Sequence, residues 1–512
     1  MAAENIQVEY KAMAQSNTKD HNLKNAVAKG FLWGGMSNVV CQLFSLFFGI
    51  CLARQLSPID YAPIGALAMF SAIAGSLQDS GFVAAIANRK SVTHDDYNAV
   101  FWFNILISLF MYGVLFLCAP LIADFFQKVV PEKTKLFDDG LLEFVWLSRY
   151  NFLGFVVAGF GIAPSAYLFR ELKVKQKSIA LMLSIVVSGT VGVVLALNGF
   201  SYWGIATQSI VYVLVRTIVC WCFTPWRPSF RVNFAPLKYL FAFSYRLLIT
   251  NMFQRFNWNI FSFILGRFKE DNDVGNYTKA AEWFNMGGEV VNGMVNAVGQ
   301  PALAKVADDC NRQLRVFRKM LRFTAFVSFP AMLGLSLVAP ELITVVITDK
   351  WIESAGMLRM LAVWGAFMPV QSMLTNLLVS RGRSRTFMWC TIVQGLLMLA
   401  ILLFVHTYEI KYMIVCYCIF NVCWLFVWRY FVGKEIALKL TMFLRDVVPY
   451  MLLAAAVMAV TYRLTTGIDE PVLLLLSRMV IAALLYIGVA AVARSKELQE
   501  IVDFLFKRKK VE

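Results

Sequence analysis

Three arginines, Arg149, Arg255 and Arg359, stand within long apolar runs. A charged side chain at the centre of a bilayer costs about 2.5 to 3.5 kcal/mol on insertion scales, so each must face protein, water or an anionic ligand. Stripes of polar residues recur at helical spacing around them. Ser244, Asn251, Gln254, Arg255, Trp258, Asn259 and Ser262 share one face, and Asn38, Gln42, Ser45 and Gly49 form a second stripe. Glu282, Asn285, Glu289, Asn292, Asn296 and Gln300 step by three and four along a third. Two readings are open. In one, a water-filled cationic cavity binds an anionic substrate through Arg149, Arg255, Arg359, Asn38, Gln42, Asn251, Gln254 and Asn259. In the other, internal pairs such as Arg149 with Glu143 and Arg255 with Glu289 make the charges structural. Asp79, Glu282 and Glu289 are candidates to carry a coupling proton or sodium, because a desolvated acid can exchange its charge with conformation; they serve equally well as counter-ions. Trp258 and Trp283 could stack on a sugar, whereas most of the 43 Phe and 13 Trp read as lipid-facing bulk and interfacial belts.

Covalent chemistry finds little support. Of the ten cysteines, Cys41, Cys51, Cys118, Cys220, Cys222, Cys390, Cys416, Cys418 and Cys423 sit inside apolar runs and read as small hydrophobes. His21, His94 and His406 fall in different segments, with no HExxH motif, CxxC pair or carboxylate cluster at ligand spacing. No metal and no cofactor is expected beyond a coupling ion.

The elements that must position these residues are membrane helices. With 59% hydrophobic residues, 16% charged and a mean hydropathy of +0.63, a soluble chain of 512 residues could not cover itself with polar surface. Apolar runs of roughly 20 residues, enough to cross about 30 Å of hydrocarbon, recur from Val27 to Val492. They predict an all-α polytopic protein of about fourteen transmembrane helices, starting near 27, 60, 97, 141, 177, 201, 240, 278, 320, 355, 386, 411, 445 and 472. Connections after even-numbered spans are basic, from Arg89-Lys90 through Arg170 to Lys177 and Lys305 to Arg322 to the closing FLFKRKK. Those after odd-numbered spans are neutral or acidic, such as SPID and FKEDNDVGN. This asymmetry predicts cytoplasmic N- and C-termini in a bacterial inner membrane. It also accounts for the net charge of +16 through anionic lipid headgroups, without nucleic acid.

The expected organisation is a polar cytoplasmic segment at 1–26, a first lobe at 27–222, a linker at 223–239, a second lobe at 240–434, an appended helix pair at 435–494 and a basic tail at 495–512. No cleaved signal peptide is expected ahead of the first span. Ile501, Phe504 and Leu505 beside Lys507 to Lys510 suit a short interfacial helix or a solvated tail. A duplication underlies the lobes. At an offset of 213, Asn38 meets Asn251, Arg54 meets Arg267 and Asp60 meets Asp273; at 220, LFLCAPLI meets LSLVAPEL. A shift of six spans preserves orientation, so the lobes read as parallel repeats. Arg54 and Arg267, near span ends, suit snorkelling or capping of loop acids.

The segments ARQLSPIDYAPIGALAMF, DSGFVAAIANRK, FWFNILISLFMYGVLFLCAPLIADFF and YLFRELKVKQKSIAL resemble polysaccharide flippases of the colanic-acid and O-antigen exporter type, within the multidrug/oligosaccharidyl-lipid/polysaccharide exporter superfamily. The likeness spans roughly residues 27 to 440. It implies two six-helix lobes around a V-shaped cavity that alternates between the two sides of the membrane. The implied cargo is an undecaprenyl-diphosphate-linked oligosaccharide for surface polysaccharide synthesis, with glycosyltransferases and a polymerase as partner enzymes. Intramembrane arginines typify such flippases, and Arg149 and Arg255 match that pattern. The appended pair resembles the extra helices of lipid II flippases, where a lipid-tail groove is implied.

Three rivals remain on sequence grounds. A cation-coupled multidrug antiporter would want an acidic cavity, which Arg149 and Arg255 oppose and Glu289 and Asp79 favour. A membrane glycosyltransferase or polymerase would want a sizeable extramembrane domain, and no loop exceeds about 20 residues, so no enzymatic activity is expected. A purely structural scaffold would leave the buried charges unexplained.

Overall fold

A computed structural model describes residues 37, 39–79, 86, 92–129, 139–171, 173–231, 233–304, 306–307, 309–493, 495 and 497–499. Asn38, the polar segment 1–26, Lys305 and the tail residues 501–512 therefore lie outside the described residues, as do the side chains of Asp79, Ser244, Asn296 and Gln300.

The described secondary structure is helical throughout. In chain order the helices are α1 (Val39–Gln55), α2 (Pro58–Asp79), α3 (His94–Phe125), α4 (Gly140–Arg170), α5 (Val174–Leu197), α6 (Ser201–Phe223), α7 (Ala235–Phe268) and α8 (Asp271–Ala304). There follow α9 (Cys310–Val346), α10 (Ile352–Gly365), α11 (Met368–Ser380), α12 (Ser384–Val405), α13 (Ile410–Ile436), α14 (Leu440–Leu464) and α15 (Pro471–Val492). Among the described residues, eleven segments are long and apolar enough to cross a membrane, with α10 and α11 counted as one. The chain is a multi-pass membrane protein. The other three expected spans fall short of that measure for visible reasons. The described part of α1 is short, and α7 and α8, each 34 residues long, carry the polar stripes that lower their hydropathy.

Apolar side chains face outward where a soluble helix would hide them. On α15, Leu473, Leu476, Val480, Leu484 and Ile487 are all more than half exposed, a face suited to lipid. The interior is built by close approach of small residues, since lipid tails offer no hydrophobic drive for helices to associate.

The chain divides into two compact units. The first holds 1–55, 74–122 and 142–248. Within it α5 and α6 form a tight antiparallel hairpin, turned at Gly199, whose φ of +81° suits glycine. The Gly199 and Phe200 N–H groups close the turn on the Ala196 and Leu195 carbonyls.

The second unit holds 56–73, 123–141 and 249–512. The first turns of α2 press against α8 so closely that a Cβ on Gly275 would collide with the Pro58 carbonyl, and one on Gly65 with the Thr278 hydroxyl. The tenth expected span is broken into α10 and α11 at Ala366 and Phe367. Pro369 explains the break, because it cannot donate to the Gly365 carbonyl and its ring crowds it. Ser328 of α9 donates to the Ala366 carbonyl in the break at 2.5 Å.

The ninth span begins earlier than its expected start near 320, and this is a correction. α9 starts at Cys310, so Arg312, Arg315, Arg318, Lys319 and Arg322 stand on its first turns rather than in a loop. Two contacts fold this stretch. Asp309 caps the helix by accepting from the Arg312 backbone N–H at 3.0 Å, and that bond holds its carboxyl below the usual range. Arg318 forks onto Asp446 of α14 with bonds of 2.6 and 3.0 Å.

Candidate substrate-binding site

α7 presents its polar stripe on two edges. Gln254, Asn257 and Trp258 line a cavity of about 150 Å³ inside the second unit. Asn251 and Arg255 lie on the exposed side, with Asn259 donating back to the Arg255 carbonyl at 2.8 Å. α8 adds Asn292 to the cavity, α11 adds Gln371, Ser372 and Thr375, α12 adds Thr391 and Gln394, and α13 adds Tyr417 and Asn421. Trp364 and Trp428 complete the wall with Trp258.

The lining is an amide network with spare capacity. Asn257 donates to the Thr391 carbonyl at 3.0 Å, and Ser372 to Asn292 Oδ1 at 3.0 Å. Gln394 donates to Asn421 Oδ1 at 3.1 Å, while Asn421 donates to the Tyr417 carbonyl at 2.8 Å. Two acceptors are left over: Asn257 Oδ1 and Gln371 Oε1 are buried and accept no hydrogen bond among the described residues. A buried polar atom left so costs about 1 to 3 kcal/mol, which a hydroxyl donor from a ligand would recover. Gly395 lets Asn257 sit where it does, because a Cβ there would strike Asn257 Oδ1. No described lining residue carries a formal charge.

The predicted site residues are thus only partly brought together. Gln254 enters this cavity, while Asn251, Arg255 and Asn259 occupy the neighbouring edge of α7. Gln42 lines a separate cavity of about 400 Å³ within the first unit, beside Ser37, Ser45 and Ser178. Arg149 is half-buried in the first unit, 4.1 Å from the Phe116 ring centre and 5.1 Å from that of Trp146, with Nε 3.4 Å from the Phe116 carbonyl. Arg359 lies elsewhere in the second unit, on the exposed face of α10 that also carries Ile352 and Val363.

The internal pairs that would neutralise these arginines do not form among the described residues. Glu143 is fully buried and accepts from the Trp203 indole at 2.9 Å, whereas Arg149 lies against aromatic rings. Arg255 and Glu289 are both exposed and make no ion pair among the described residues. Glu282, in contrast, is a counter-ion: it binds Lys279 at 2.8 Å. Lys279 is only 1% exposed and its ammonium lies 4.9 Å from the Tyr61 ring centre. Trp283 is buried and lines no part of the cavity. Arg267 rests 5.1 Å from the Phe125 ring centre.

Lys279, Asn257, Gln371, Gln394 and Asn421 escaped sequence reasoning. Asn257 carried a usable signal, one turn from Gln254 in the same stripe. Lys279 carried one as well, one turn before Glu282 on α8, whereas Gln394 and Asn421 stand in largely apolar runs.

Comparison with known proteins places this architecture. A family model described as polysaccharide biosynthesis protein matches residues 51–356. The chain belongs to this family. It is 23% identical over 455 residues to the teichuronic acid biosynthesis protein TuaB of Bacillus subtilis (strain 168), covering 88% of this chain and 91% of that one. It is 24% identical over 368 residues to the lipopolysaccharide biosynthesis protein WzxC of Escherichia coli (strain K12), covering 71% of each. Among solved structures, the lipid II flippase MurJ in an inward closed conformation superposes with a TM-score of 0.72 at 13% identity, over 90% of this chain and 98% of that one. An inward-facing multidrug resistance MATE family transporter of the MOP superfamily matches at 0.60 and 15%, over 77% and 95%. At those identities the likeness establishes a shared fold.

Proposed function

We propose that this protein is a flippase that carries an undecaprenyl-diphosphate-linked oligosaccharide from the cytoplasmic to the periplasmic leaflet of the inner membrane by alternating access. Its product would feed surface polysaccharide synthesis, with glycosyltransferases supplying the substrate and a polymerase consuming it. The carrying observation is the cavity of the second unit, which combines uncharged amides, unused buried acceptors and three tryptophans. Sugar rings present both hydroxyl donors and apolar C–H faces, and an amide and tryptophan wall matches both at once. Family membership and the names of TuaB and WzxC support the same reading.

Arg149 and Arg255, without counter-ions among the described residues, are suited to the diphosphate. A cytoplasm-negative potential assists outward movement of an anion by about 2.3 kcal/mol per charge per 100 mV. If transport is coupled, Glu289 is the carboxylate best suited to a proton or sodium, since Glu282 is occupied by Lys279. A cation antiporter would require a carboxylate in its cavity, and the described lining residues include none. With both termini cytoplasmic, the basic loops would meet anionic headgroups on the side where the substrate is made.

The test is transport into everted membrane vesicles supplied with a radiolabelled lipid-linked oligosaccharide. Vesicles with the protein should protect the sugar from an external glycosidase. Equal protection in vesicles lacking it, together with efflux of cationic dyes, would replace this reading with the antiporter.

A further inference from the structure

The cavity of the second unit offers a ligand no opposite charge. Its described lining residues are amides, hydroxyls, aromatic rings and one methionine, with no lysine, arginine, histidine, aspartate or glutamate among them. Arg255 occupies the other edge of α7 and Arg359 the exposed face of α10, so neither lines it. Three buried side-chain atoms of the wall make no hydrogen bond among the described residues: Asn257 Oδ1, Gln371 Oε1 and Trp428 Nε1. Two of the three are oxygens. Asn257 cannot exchange its oxygen for its amino group without breaking the bond from that group to the Thr391 carbonyl.

These properties separate sugars by charge. A sugar hydroxyl both donates and accepts, so it can give its hydrogen to Asn257 Oδ1 or Gln371 Oε1 and take one from the Trp428 indole. An ionised carboxylate only accepts. Beside those amide oxygens it would set oxygen against oxygen, and no cation of the described lining would replace the water it gave up. Taking a charge out of water without a partner is among the heaviest penalties a site can impose. Trp258 and Trp364 add apolar faces that suit the C–H side of an uncharged sugar ring.

We infer that this cavity selects an uncharged, hydroxyl-rich sugar and rejects one that bears a carboxylate; that the sugar arrives on a transported lipid rests on the flippase reading. Native mass spectrometry of the full chain in detergent tests the selection with undecaprenyl-diphosphate-linked glucose, glucuronic acid and glucuronic acid methyl ester. The shared lipid and diphosphate cancel from the comparison, and the ester keeps the added atoms while removing the charge. The wild type should retain the glucose and ester probes at least about tenfold better than the acid, a gap of about 1.4 kcal/mol. Q371K, which places an ammonium in the wall, should close most of that gap, with its melting temperature as the check on folding. The wild-type comparison decides by itself if Q371K does not fold. Equal retention of the glucose and acid probes would overturn the proposal, as would an ester retained no better than the acid, retention of none of the three, or an undiminished gap in folded Q371K. Transport into everted vesicles is read separately. Equal retention with intact transport removes the selection and leaves the flippase, whereas discrimination without transport leaves the selection and removes the flippase.

Discussion

Glu341 of α9 and Arg478 of α15 meet at 2.6 Å with only 14% and 7% of their side chains exposed. Arg478 also reaches the Thr465 hydroxyl at 3.3 Å and the Leu337 carbonyl at 3.4 Å, so one guanidinium joins α9, the α14–α15 turn and α15. Together with Arg318 and Asp446, this pair fastens the last two helices to α9 at widely separated points along it. Removing one partner leaves a buried charge. R478A should destabilise the protein by about 3 to 5 kcal/mol, whereas E341L/R478M should be nearly neutral. Thermal unfolding followed by size-exclusion chromatography in detergent would separate the two.

The cavity amides should matter for transport more than for folding. Q371A removes an acceptor that is already unused inside the protein, so its melting temperature should stay close to wild type, whereas N257A also loses the bond to the Thr391 carbonyl and should cost about 0.5 to 1.5 kcal/mol. Sugar protection in everted vesicles should fall about tenfold or more for each, given roughly 1.4 kcal/mol per decade and 1 to 3 kcal/mol for a buried hydrogen bond. W258A should behave similarly.

Gly395→Ala should be damaging where its neighbours tolerate change. The added methyl collides with Asn257 Oδ1, so α7 and α12 must separate or Asn257 must turn away. A loss of about 1 to 3 kcal/mol is expected. Pairing the change with N257A should restore most of the melting temperature.

Of the three intramembrane arginines, Arg149 and Arg255 should respond differently from Arg359. R149A and R255A should reduce surface polysaccharide at normal expression levels, measured in a deletion strain carrying each variant. R359A should have a smaller effect, because Arg359 shares its exposed face with Ile352 and Val363. Equal export by R149A, R255A and wild type would remove the diphosphate role assigned to those two.

Glu497, beyond α15, links stability to pH. Burial pushes its carboxyl up, but bonds from its own backbone N–H, Ser495 and Tyr450 and the Arg322 charge outweigh that and leave it below 4.5. A depressed acid stabilises the folded state above its unfolded pKa and loses that contribution as pH falls through the folded value. Wild-type melting temperature should therefore drop as pH falls below about 4.5, and E497Q should show a shallower drop.

Much of this architecture could be read from the chain because bilayer physics is written in runs and periods. Apolar length marked the spans, and a step of three and four marked the stripes that hold Gln254 and Asn292. The same pattern could not divide the α7 stripe into a cavity edge at Gln254, Asn257 and Trp258 and an exposed edge at Asn251 and Arg255, since the two are adjacent on one helix. Nor could it assign partners. Glu143 looked like a counter-ion for Arg149 from six residues away, yet burial turned it to Trp203, 60 residues on. Glu282 stood open between ion coupling and a counter-ion role until Lys279 closed on it. The sequence by itself determined that this is a helical membrane protein with polar faces that lipid cannot cover. Only the tertiary structure decided which polar groups pair with one another, as Glu341 and Arg478 do, and which, like Asn257 Oδ1 and Gln371 Oε1, are left able to accept a bond. The reason is that hydropathy is a property of each segment alone, whereas satisfaction of a buried polar atom depends on helices far apart in the chain.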